Sequence, residues 1–307
     1  MACREVGPII TPSETESLPI RLTRNCQWNR CEFCPVYKST AYEQRPIEEI
    51  LNDITISQAM QEVLGRQYER AFFQDADPIA LPASGLIRIL RKIKEVYPKI
   101  TKITSYGRSY SLGRKSLEEL KELREYGLTG IYRGLESGYD PLLRYMKKGT
   151  TARRLIESGL RVKQAGIELS DFVMPGLGGN LELEGQETWR RHAEETARVI
   201  NATSPDCIRL RTLFIHPSTP LWEKAKKGEF KRASNQDIVK EIRLFIGKLD
   251  GISSAIESNF ISNIVLFEGK IPEDKEKIFG LIDKYLESPL KRDREYRLRI
   301  KLFSRQY

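Results

Sequence analysis

Apolar residues along this chain follow two spacings in turn. Short apolar runs alternate with longer segments whose apolar positions recur every three or four residues. Residues 46–64 place Ile47, Ile50, Leu51 and Ile54 on one helical face, and residues 84–97 do the same with Leu86, Ile87, Leu90 and Ile93. Helices are also predicted over 116–126, 139–147, 151–165 and 184–201. Ser116 followed by Glu119 suits a capping box, and Gly127 is the expected stop of that helix. Between the helices, residues 18–24 (LPIRLTR), 71–73 (AFF), 100–105, 130–135, 167–174 and 206–215 read as strands.

The order strand, loop, helix repeats six times, which implies a parallel sheet with right-handed crossovers. A polar or glycine-containing cluster follows each strand. The predicted fold class is α/β, and six such units suit a partial (β/α)6 TIM-like barrel with chemistry at the C-terminal strand ends. An open doubly wound sheet gives a similar string. Residues 1–17 read as a lead-in and 18–221 as the core. The alternation stops after about residue 222, leaving 222–307 as a small C-terminal α+β extension. There, helices are predicted over 235–249 and 274–286. A terminal basic strand is predicted over 296–303, with Arg297, Arg299 and Lys301 on one face and Leu298, Ile300 and Leu302 on the other.

Composition narrows the class. Hydrophobic residues at 40% suffice for a core, and charged residues at 30% argue for a solvated surface rather than a membrane one. No apolar run approaches spanning length. Glu5, Glu14 and Glu16 break any apolar segment near the start, so no signal peptide is expected. A cytoplasmic protein with reduced cysteines follows. The net charge of +9 fits a nucleic-acid partner, an anionic substrate or a lysine-rich soluble surface. Its excess lies at the end, in Lys291, Arg292, Arg294, Arg297, Arg299, Lys301 and Arg305.

Residues 25–38, NCQWNRCEFCPVYK, carry the chemistry. Cys26, Cys31 and Cys34 cannot all pair as disulfides, but three neighbouring thiolates can ligate a metal. A zinc or disulfide cluster would need Cys3 or Cys207 to complete it. A four-iron cluster held by three thiolates keeps one iron open for a small molecule. Cys3 and Cys207 are too few for a second Cys-ligated cluster, and Cys207 reads as a small core residue. On β-strand periodicity Arg209 and Arg211 share a face, which suits an anionic substrate if that face looks inward.

The cysteine loop resembles that of the radical S-adenosylmethionine (SAM) enzymes. Two residues separate Cys31 from Cys34, Phe33 fills the aromatic slot, and the first gap (Gln27, Trp28, Asn29, Arg30) is one residue longer than the usual three. Residues 133–138 (RGLESG) with 146–150 (MKKGT) resemble the middle of the coproporphyrinogen-dehydrogenase and methylthiotransferase types. The resemblance implies an oxygen-sensitive [4Fe-4S] cluster on Cys26, Cys31 and Cys34, with S-adenosyl-L-methionine on the open iron. By position it places Phe33 and Tyr37 near the adenine. Asp75 and Asp77 fall near the SAM ammonium, Glu136 on the ribose, Lys148 on the carboxylate and Ser105 beside the cofactor. Asp171 sits one residue from the strand-five position that bears an Asp in such relatives, and carries no role. Candidates for substrate chemistry are Tyr106, Arg211 and His216. The implied partners are an unidentified substrate and a low-potential donor such as flavodoxin or ferredoxin. No membrane is implied. A nucleic acid could engage the basic C-terminal tail. The alternative function is an iron–sulfur or zinc RNA-binding module without radical chemistry, stacking bases on Tyr296, Phe303 and Tyr307.

Overall fold

A computed structural model describes residues 11–38, 41–65, 67–288, 293–294 and 296–298. Its contacts divide the chain into two compact units, each with its own apolar core. The first comprises 1–29, 34–133 and 157–169; the second comprises 30–33, 134–156 and 170–307.

Strands β1 (Leu18–Arg21), β2 (Arg70–Gln74), β3 (Lys102–Tyr106) and β4 (Leu128–Glu136) pair in that order, all parallel, and the first unit holds β4 as far as Arg133. The Ala71-Phe72-Phe73 run is fully buried, as expected of a strand covered on both faces. Helices α1 (Ile47–Leu64), α2 (Ala83–Val96), α3 (Ser109–Arg114) and α4 (Leu117–Glu125) connect the strands. Leu86, Leu90 and Ile93 of α2 are buried, while Arg88, Arg91 and Glu95 are exposed. The cap of α4 is the predicted box: Glu119 N–H donates to Ser116 Oγ at 3.1 Å, and Ser116 N–H donates to Glu119 Oε2 at 2.8 Å. Such a cap stabilises a helix by about 1 kcal/mol. Gly127 ends the turn at a φ of 113°, a conformation that favours glycine.

Further along the chain come α5 (Asp140–Tyr145) and α6 (Ala152–Gln164). Strand β5 (Glu168–Val173) belongs to the second unit from Ser170 onward; there β5, β6 (Cys207–Leu210) and β7 (Ser254–Ser258) pair parallel, and β8 (Phe267–Ile271) pairs antiparallel with β7. Helices α7 (Thr188–Thr203), α8 (Pro220–Lys226), α9 (Asn235–Gly247) and α10 (Lys275–Glu287) complete it. This is an α/β fold with mostly parallel strands, in the βα order of a partial (β/α)6 barrel. No closed barrel forms among the described residues.

Several boundaries differ from those predicted. The strand over 18–24 stops at Arg21, and Thr23–Arg24 turns away to pair antiparallel with Glu43–Gln44. The strand over 206–215 ends at Leu210. Helix α3 was not predicted. The alternation does not stop near 222, because α9 leads into β7. That strand has weak apolar contrast: two of its three buried positions are Ser254 and Ser258. Their hydroxyls donate to Pro205 O at 2.6 Å and Val265 O at 2.7 Å. Of the terminal strand expected over 296–303, residues 296–298 are helical and 299–303 lie outside the described residues.

Candidate functional site

The cysteine loop follows β1. Cys26, Cys31 and Cys34 form no disulfide, and all are half-buried. Asn25, just before Cys26, and Asn29, inside the long first gap, take left-handed conformations, φ 71° and 43°, which asparagine tolerates better than most side chains. Asn29 N–H donates to Cys26 Sγ at 3.4 Å. The Tyr37 hydroxyl at the loop's end donates to Asp75 Oδ1 at 2.8 Å.

The middle of the loop, residues 30–33, belongs to the second unit. Glu32 anchors it: its buried carboxylate meets Lys147 Nζ at 2.6 Å and Lys224 Nζ at 3.7 Å. Its N–H donates to Met146 O, and its carbonyl accepts from Leu221 N–H, each at 3.0 Å. Sequence reasoning missed Glu32; its place between two thiols, beside no other acid, was the available signal. Among the described residues no three His, Cys, Asp or Glu are gathered closely enough to hold a metal ion. The fit to a cluster therefore rests on donor chemistry: three reduced sulfurs, partly open to solvent, on one short loop.

Three of the expected cofactor contacts come together in the second unit. Lys148 Nζ lies 3.0 Å from Glu136 Oε1 and 5.9 Å from the centroid of the Phe33 ring. Neither charged side chain is closed off, with 16% and 12% exposed. A Cβ built on Gly134 would lie 2.6 Å from Glu136 Oε1 and 2.8 Å from Lys148 Nζ. Glycine there makes room for the pair.

The turn after β4 is braced from below. His192 on α7 bonds through Nδ1 to Ser137 Oγ at 2.8 Å and through Nε2 to Met174 O at 3.2 Å. Thr196 Oγ1 accepts from Gly138 N–H at 2.9 Å. Glu241 on α9 accepts from Gly176 N–H at 2.9 Å and lies 3.5 Å from His192 Nε2. Burial pulls His192 down to about 4 and pushes Glu241 up to about 8, so both are neutral at pH 7. The brace thus links the Glu136-Ser137-Gly138 turn to the glycine turn over Pro175–Gly179.

In the first unit the predicted acidic pair is buried. Arg21 holds Asp75 through Nε at 2.6 Å and Nη2 at 3.3 Å. Asp77 accepts from Arg108 N–H at 2.9 Å and Ser111 Oγ at 2.6 Å. Burial raises the Asp77 carboxyl, against the lowering effects of those donors and Lys115. Burial also lowers Lys115, whose Nζ donates to Leu81 O at 2.7 Å. Ser105 Oγ donates to Tyr106 O at 2.8 Å, and the Tyr106 ring packs edge-on to Phe72 at 5.2 Å.

The remaining candidates separate. Arg209 faces Glu257 in the β6–β7 ladder and pairs with it at 2.5 Å. Arg211 lies over the rings of Phe172 and Phe260, at 4.2 and 4.7 Å from their centroids. His216 serves its own turn, with Nδ1 accepting from Ser218 N–H at 3.1 Å. Burial pushes the Cys207 thiol up to about 12, so it is a poor nucleophile or ligand, in keeping with a core residue.

The sequence model of the Radical SAM superfamily matches residues 20–184. The tRNA uridine(34) acetyltransferase of Methanocaldococcus jannaschii is 23% identical over 125 residues, which are 41% of this chain and 22% of that protein. The heme chaperone HemW of Bacillus subtilis is 21% identical over 237 residues, 75% of this chain and 60% of that one. Among solved structures, the radical SAM methyltransferase TsrM of Kitasatospora setae, with cobalamin and a [4Fe-4S] cluster bound, superposes with a TM-score of 0.53. It shares 18% identity, covering 71% of this chain and 41% of that chain. The chain thus spans under two thirds of the length of each.

Proposed function

Because the chain belongs to the radical SAM superfamily and is an enzyme of that class, we propose that it cleaves S-adenosylmethionine reductively to abstract hydrogen from a bound substrate. One observation carries the reading: the matched stretch contains both the three-thiol loop and the Glu136–Lys148 pair. Cys26, Cys31 and Cys34 would hold a [4Fe-4S] cluster. The chemistry such a cluster would supply when bound is one-electron reduction of SAM, which would break the sulfonium–C5′ bond to leave methionine and a 5′-deoxyadenosyl radical.

The chain's own residues bind and orient. Lys148 offers an ammonium to the SAM carboxylate, Glu136 an acceptor to the ribose hydroxyls, and Phe33 an apolar edge to the adenine. Asp75 acts on the SAM side by fixing Tyr37 and hence the end of the cysteine loop. Asp77 and Ser105 shape the neighbouring strand ends. Tyr106, Arg211 and His216 remain the candidates on the substrate side. Flavodoxin or ferredoxin would supply electrons.

Among the described residues no helix is long and apolar enough to cross a membrane. A cytoplasmic location is part of the proposal because a thiol-ligated cluster needs a compartment that keeps cysteines reduced. RNA as substrate is a second reading, favoured by the similarity to a tRNA acetyltransferase and by the net charge of +9. Anaerobically reconstituted protein given dithionite and SAM should form 5′-deoxyadenosine and methionine in equal amounts. Cys31→Ala should lose iron and the near-ultraviolet cluster absorbance together. A confirmed cluster without 5′-deoxyadenosine contradicts the proposal.

A further inference from the structure

Arg209 and Arg211 leave β6 on the same side, yet only one is neutralised. Arg209 stands opposite Glu257 and forms an ion pair with it. No carboxylate among the described residues pairs with Arg211. Its guanidinium is flanked instead by Phe172, two positions back in ladder register beside Arg209, and by Phe260 from the β7–β8 loop. Aromatic faces attract a guanidinium and leave its in-plane N–H groups available.

The same loop fixes the backbone under Arg211. Asn263 is fully buried; its Oδ1 accepts from Thr212 N–H and its Nδ2 donates to Leu210 O, both at 2.8 Å. The two bonds grip the residues on either side of Arg211. Ser258 Oγ closes the loop on Val265 O, and Asn263 N–H donates to Phe260 O at 2.9 Å. One short loop therefore supplies both a ring against the side chain and a clamp on the main chain. Such preparation is excessive for a solvated surface arginine, whose side-chain entropy normally opposes ordering.

We propose that Arg211, held by Phe172, Phe260 and Asn263, is the anchor for a carboxylate group of an organic substrate. The in-plane N–H groups of a guanidinium match the two oxygens of a carboxylate. A single cation in an aromatic frame suits a single negative charge on an organic body. A nucleic-acid backbone calls for several cations along its path, and here Arg209 is already neutralised. Arg232 donates through Nε and Nη1 to Leu213 O, Ala233 O and Asn235 Oδ1, and its buried Nη2 has no hydrogen-bond partner among the described residues. The substrate role rests on the radical SAM reading; carboxylate binding itself does not.

The test is a titration of the full chain, labelled with 15N-arginine, with benzoate, with inorganic phosphate and with a short single-stranded RNA. Comparison with Arg211→Lys assigns the Arg211 Nε–H signal. Benzoate should shift that signal saturably with an apparent Kd of about a millimolar. Phe260→Ala, which leaves the charge in place, should weaken the response about fivefold. Cys31→Ala should keep the benzoate response while losing iron, so failure of the cluster and failure of the anchor read out separately. No saturable benzoate shift in the wild type overturns the proposal. Phosphate or RNA moving the signal as strongly as benzoate overturns the carboxylate assignment.

Discussion

Two acidic turns at strand ends look alike in sequence and have different work. After β2, Asp75 and Asp77 are fully buried and occupied by Arg21, Tyr37, the Arg108 N–H and Ser111. After β4, Glu136 shares Lys148 in a pair that stays partly open to solvent. A carboxylate enclosed by fixed donors holds structure together, because removing it strands a partner. A carboxylate that still meets some solvent can exchange its partner for a ligand at a smaller cost than one fully enclosed. Negative charge at a strand end therefore does not by itself mark a cofactor contact; the partners decide.

The largest effect expected from this contrast is at Asp75. Asp75→Ala removes the buried carboxylate that holds Arg21 and the Tyr37 hydroxyl and should cost about 3–5 kcal/mol in urea unfolding. A loss below about 1 kcal/mol would mean that the carboxylate is not structural.

A smaller effect comes from the brace beneath the β4 turn. Glu241 is protonated in the fold up to about pH 8, whereas an unfolded glutamate ionises near 4.5. Its stabilising contribution is complete below the unfolded value and falls as pH rises toward 8. His192, held down to about 4, works in the opposite direction between there and 6.5. The two slopes oppose each other up to about pH 6.5, and above it Glu241 dominates. Stability should fall by about 2 kcal/mol from pH 6.5 to 8, and Glu241→Gln should remove that fall. An unchanged slope in the variant would place the titrating group elsewhere.

Smallest in free energy is the change at the open pair. Lys148→Ala should alter unfolding by under about 1 kcal/mol and weaken SAM binding about tenfold by calorimetry, near 1.4 kcal/mol. Equal SAM affinity would remove Lys148 from the cofactor site and erase the contrast between the turns.

How much was legible follows the same division between pattern and partner. Strands β2 to β5 and helices α1, α2 and α4 could be read because apolar runs or helical spacing place their buried side chains. The cysteine loop could be read from residue type alone. Strand β7 could not, since serines fill two of its buried positions and satisfy themselves on backbone carbonyls. With β7 unseen, Glu257 had no place opposite Arg209, and the two arginines looked equivalent. Phe260 and Asn263 were hidden for the same reason. Glu32, His192 and Glu241 act through partners distant in sequence, and no local spacing announces a partner.

The most direct measurement of the central claim is the paramagnetic spectrum of the reduced, reconstituted protein recorded with and without SAM. A [4Fe-4S]+ cluster on three cysteines leaves one iron open, so SAM should shift the g values of the signal. A spectrum identical with and without saturating SAM would mean that SAM does not reach the cluster, and would contradict the account.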